Sequence, residues 1–152
     1  MTTSGTVTLS RLTISGGGSS GSGAGIQNNN GGTLNILNCI VWSNLAAGNG
    51  GAIFNSSTGT VNVTSSELLA NNAALGAAIF NNGTGTVNIT NSTLTENIAT
   101  SGGAVYNNST GAVNISNSTL ARNSATASGG GFFNNSTGVV QVKSTIIASN
   151  TG

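Results

Sequence analysis

The chain has 152 residues, 3% of them charged, and a formal net charge of +1, where an ordinary soluble protein carries about 25% charged residues. That balance gives no electrostatic reason to expect nucleic acid, an anionic membrane or an acidic partner. Two acids (Glu67, Glu96), three bases (Arg11, Arg122, Lys143) and no Asp or His leave little for acid–base catalysis or a metal centre, and the single cysteine, Cys39, excludes an internal disulfide.

From the N-terminus, residues 1–4 read as the tail of a preceding repeat. Gly5 then opens a pattern that recurs at Gly32, Gly59, Gly85, Gly111 and Gly138, at steps of 27, 27, 26, 26 and 27 residues. A fixed period of this size marks a repeat architecture, here one β-solenoid domain over 1–152. In the first repeat TVTLS alternates with Val7 and Leu9 on one face. Residues 15–25 (SGGGSSGSGAG) read as a loose turn, because a phosphate loop needs the lysine of GxxxxGK[ST]. The pattern is cleanest at residues 85–110, GTVNITNSTLTENIATSGGAVYNNST. TVNIT alternates, STLT alternates, and a Gly-Gly bend precedes AVYN. Three short strands and three bends per repeat predict an all-β, parallel β-helix of about five and a half coils. The long, unequal-sided coil is of the kind found in right-handed helices.

Stacking the repeats turns positions into columns. The first strand contributes Val7, Leu34, Val61, Val87, Val113, Val140 and Leu9, Ile36, Val63, Ile89, Ile115, Val142. The second contributes Ile14, Val41, Leu68, Leu94, Leu120, Ile147, and the third Ile26, Ile53, Ile79, Val105, Phe132. β-branched residues suit such buried, stacked positions. Asn44, Asn71, Asn97, Asn123 and Asn150 fall at one corner, and Asn28, Asn55, Asn81, Asn107 and Asn134 at another. Stacked amides can hydrogen-bond along the axis and tolerate the left-handed conformation of sharp bends. Cys39 shares an inward, mostly small column with Leu12, Ser66, Ser92, Ser118 and Thr145, and is read as an inert buried thiol.

Two outward features are candidate binding surfaces. On the first strand Thr33, Thr60 and Thr86 lie beside Asn35, Asn62, Asn88 and Asn114, followed by Thr64 and Thr90, a flat uncharged face repeating about every 4.8 Å across coils. Such an array resembles the ice-binding faces of β-solenoid antifreeze proteins. On the third strand Phe54, Phe80, Tyr106 and Phe133 form an aromatic column, read either as a wall support or as a strip for sugar or a partner. Glu96 and Arg122 are expected to pair across adjacent coils, and Glu67 to be solvated.

Gly50-Gly51-Ala52-Ile53 and Gly102-Gly103-Ala104-Val105, with Val41-x-x-Asn44, Leu68-x-x-Asn71, Leu94-x-x-Asn97 and Leu120-x-x-Asn123, resemble the GGAI and FxxN motifs of polymorphic outer-membrane protein repeats. The whole chain is similar to large bacterial surface proteins built from such repeats, although the Phe of FxxN is aliphatic throughout. The resemblance implies a right-handed β-helix at the cell surface, often as a passenger or adhesin. The reading is therefore a non-enzymatic extracellular or cell-surface stalk, adhesin segment or fibre subunit. Its partner is expected to be itself, stacked head to tail, or a surface ligand. No cofactor, metal, nucleic acid or membrane insertion is expected. An ice- or glycan-binding module is the alternative. A polysaccharide-active enzyme, the third reading, would have to work with Glu67 and Glu96.

Overall fold

A computed structural model describes residues 5–29, 31–56 and 58–152; the repeat tail read at 1–4 lies outside them. The chain is an all-β parallel solenoid with four sheets running along its axis. The first sheet stacks Thr6–Ser10, Thr33–Leu37, Thr60–Thr64, Thr86–Thr90, Val113–Ser116 and Val140–Lys143. The second stacks Thr13–Ser15, Ile40–Trp42, Glu67–Leu69, Thr93–Thr95, Thr119–Ala121 and Ile146–Ala148. The third holds Gly18–Ser19, Leu45–Ala46, Asn72–Leu75, Ile98–Ser101 and Ser124–Ser128. The fourth holds Ile26–Asn28, Ile53–Asn55, Ile79–Gly83, Val105–Ser109 and Phe132–Asn134.

Every strand pairs in parallel with its equivalent one coil away, so sequence repeats become spatial columns. Leu34 faces Val61, Val61 faces Val87, Val87 faces Val113 and Val113 faces Val140. The second strand runs Val41, Leu68, Leu94, Leu120, Ile147 in the same way. These aliphatic columns form one continuous core with Ile53, Ile79 and Val105. No coil buries its own apolar face, so the stabilisation arises between neighbours.

The expected three-strand coil is corrected to four strands by the third sheet, which lies between the Asn corner and the Gly-Gly bend. Its inward column runs from Ser19 into four alanines: Ala46, Ala73, Ala99 and Ala125 are buried. Its outward positions include Leu45 at 58% and Ile98 at 50% exposure. The apolar pattern is thus inverted, with small residues in and large ones out, which hides the strand from an alternation test. This side also absorbs the difference between 26- and 27-residue coils. The register between Ile98–Ser101 and Ser124–Ser128 shifts between Ala99 and Ser101, a local bulge that takes up one extra residue.

Each corner needs the backbone to turn sharply, and the left-handed region supplies the turn. Between the first and second sheets the turning residues are Arg11, Asn38, Ser65, Asn91, Asn117 and Ser144, all with φ between 48° and 56°. Between the second and third sheets they are Ser43, Ala70, Glu96, Arg122 and Ser149. Between the third and fourth sheets only glycine serves: Gly23, Gly50, Gly76, Gly102 and Gly129 have positive φ. A Cβ on Gly76 would meet the Ile79 carbonyl oxygen at 2.4 Å.

Candidate functional site

Two of the corners carry a chain of amide hydrogen bonds parallel to the axis. At the corner between the second and third sheets, Asn44 Nδ2 donates to Asn71 Oδ1 (2.9 Å), Asn71 to Asn97 (3.0 Å), Asn97 to Asn123 (2.9 Å) and Asn123 to Asn150 (2.9 Å). Each of these Oδ1 atoms also accepts from the backbone N–H of the preceding Asn, at 2.9–3.1 Å. At the corner after the fourth sheet an amide-to-amide ladder runs from Asn28 through Asn55, Asn81 and Asn107 to Asn134, and the Nδ2 groups of Asn28, Asn55 and Asn81 also donate to the carbonyls of Gly32, Gly59 and Gly85. Buried backbone groups at a bend have no sheet partner, so the amides complete their hydrogen bonding. These asparagines are structural.

A third ladder, of hydroxyls, was not foreseen. Ser66, Ser92 and Ser118 each accept from the backbone N–H of the preceding coil, Cys39 N donating to Ser66 Oγ at 3.0 Å. They donate to the carbonyls of Thr64, Thr90 and Ser116. Only the small-residue column hinted at it. Cys39 is 1% exposed and its thiol donates to the Leu37 carbonyl at 3.3 Å.

On the outward first-sheet face, Thr33, Thr60, Thr64, Thr86 and Thr90 stand half-buried in rows, with Thr60 facing Thr86 and Thr64 facing Thr90. The asparagines between them are tied together: Asn62 Nδ2 donates to Asn35 Oδ1, Asn88 to Asn62 and Asn114 to Asn88, each at 2.8 Å. The aromatic column lies outside the fourth sheet, opposite Ile53 and its equivalents. Phe54, Phe80 and Tyr106 stack at centroid distances of 5.5 and 5.3 Å, and Phe133 tilts against Tyr106 at 5.2 Å. Phe80 and Tyr106 are buried. Both faces of these two rings meet neighbouring rings, while the end rings Phe54 and Phe133 are half-buried.

The two acids have different surroundings. Glu96 Oε1 pairs with Arg122 at 3.1 Å, both side chains more than half exposed. Glu67 stands on the outward face of the second sheet, in an open groove of about 480 Å³ along the first corner. Its lining comprises Asn38, Ser65 and Asn91 from the turn and Ile40, Glu67 and Thr93 from the second sheet, with Cys39 and Ser66 beneath. Among the described residues no three of His, Cys, Asp and Glu come together, and no helix is long and apolar enough to cross a membrane.

Compared with known proteins, the chain matches no family model, no curated protein and no solved structure.

Proposed function

We propose that this chain is a structural, non-catalytic segment of an extracellular or cell-surface β-helix, a stalk, adhesin segment or fibre subunit whose coils continue end to end. One observation carries the reading. Each interior coil buries its aliphatic column against the equivalent positions of its neighbours, Val61, Val87 and Val113 facing one another at 0% exposure, so the core grows by one level per coil along a single axis. A non-closing contact of this kind propagates into a rod. The likeness of the GGAI-type repeats to surface-protein repeats supports the surface location.

The test is sedimentation and electron microscopy over a range of concentrations. Rods that lengthen with concentration are expected, and Val142→Lys with Ile147→Lys should abolish them. A protein that remains monomeric at about millimolar concentration overturns the assembly reading.

A second reading, ice binding, is favoured by the facing Thr60–Thr86 and Thr64–Thr90 rows. Thermal hysteresis and ice shaping test it, and their absence removes it.

A further inference from the structure

In a chain that locks nearly every asparagine column into an axial ladder, one corner is left open. Between the first and second sheets the side chains of Asn38, Ser65, Asn91 and Asn117 carry no hydrogen bond among the described residues, although they are stacked like the others. Asn91 and Asn117 are exposed at the turn itself. Glu67 and Thr93, beside them on the second sheet, also make no side-chain hydrogen bond or ion pair among the described residues.

Of the five charged residues, Glu96 and Arg122 neutralise each other at the next corner. Of the other three, Glu67 lines the groove, while Arg11 and Lys143 lie on coils beyond its two ends. Arg11 turns the corner one coil before Asn38. Glu67 stands near the middle, and Lys143, facing Ser116, ends the outward edge of the first sheet. Apolar surface adjoins the polar floor: Ile40 lies in the groove and Trp42 follows it on the same outward face, both 43% exposed.

We propose that this groove binds a linear neutral oligosaccharide running along the solenoid axis. Free amides and hydroxyls at steps of about 4.8 Å offer paired donors and acceptors to successive sugar hydroxyls. The Glu67 carboxylate accepts from a hydroxyl pair and repels an anionic sugar at the centre. Ile40 and Trp42 supply the apolar contact that a pyranose face requires. The ligand is chain-like because the groove follows the axis over coils two to four and is open to solvent along its length. The site is independent of end-to-end assembly and of the first-sheet face, whose amides are already satisfied by one another.

The chain's single tryptophan provides the readout. Cellotriose, maltotriose, chitotriose and trigalacturonate are titrated while Trp42 emission is followed, with calorimetry to confirm saturation. At least one neutral trisaccharide should bind and trigalacturonate should not. Asn91→Gly keeps the left-handed turn and removes the amide, and Glu67→Gln keeps the shape and removes the charge. Asn91→Gly should weaken binding about tenfold. Glu67→Gln should weaken the neutral sugar and admit the acidic one. Asn88→Ala, on the first-sheet ladder, should leave affinity unchanged. Silence of every neutral sugar to about 10 mM overturns the proposal. So does binding insensitive to Asn91→Gly, or a preference for trigalacturonate.

Discussion

Replacing Asn97 with Ala should cost far more than replacing Asn88 with Ala, although both remove an amide from an axial ladder. Asn97 is fully buried. Its Oδ1 accepts from the Asn71 N–H and from Asn71 Nδ2, both at 3.0 Å. Its Nδ2 donates to the carbonyls of Leu68 and Thr95 at 3.0 Å and to Asn123 Oδ1 at 2.9 Å. Truncation leaves the Asn71 backbone N–H without an acceptor where water does not reach, a cost of about 1–3 kcal/mol. The two carbonyls lose a donor at ~0.5–1.5 kcal/mol each. The sum is about 4 kcal/mol, a large share of the ~5–15 kcal/mol that holds a domain together. Asn88 makes two bonds of 2.8 Å on the half-exposed outer face. Water can replace both, so its loss should stay below about 1 kcal/mol. Urea midpoints measure the difference, with circular dichroism and Trp42 fluorescence recorded together, since a solenoid can unfold in steps. Equal shifts for the two variants would refute the argument that the buried ladder completes the corner's backbone hydrogen bonds.

The corners give two opposite predictions for thermal melts. Gly76→Ala places a Cβ 2.4 Å from the Ile79 carbonyl at φ +58° and should destabilise by more than about 2 kcal/mol. Ala70→Gly relieves an exposed alanine held at φ 50° and should stabilise by ~0.5 kcal/mol after the entropic cost of glycine. Glu96→Gln breaks an ion pair whose side chains are 51% and 62% exposed, so stability should change by less than ~1 kcal/mol and by less still in high salt. Cys39, 1% exposed, should resist a thiol reagent in the native state and react on unfolding; rapid native labelling would contradict its burial.

The columns were legible because a coil contributes the same residue type to the same level of the stack. Val61, Val87 and Val113 share one offset in the sequence and face one another in the sheet. The Asn corners were legible for the same reason, and so was the Glu96–Arg122 pair, whose members hold one offset in consecutive coils. The third sheet was not. Ala73 and Ala99 point inward while Ile98 points out, so hydrophobicity marked the wrong face. The serine ladder was hidden as well, since a small inward side chain carries no sign of the N–H it will meet.

Period and alternation, which are properties of the chain, fixed the solenoid, its registers and its aliphatic interior. Which polar groups remain free is decided by the neighbour one coil away, and only the assembled stack brings that neighbour within hydrogen-bonding distance. Asn88 and Asn91 are three residues apart in one repeat. Asn88 is held between Asn62 and Asn114, while Asn91 turns outward at a left-handed corner. That geometric difference, invisible in composition, separates a locked wall from an open groove.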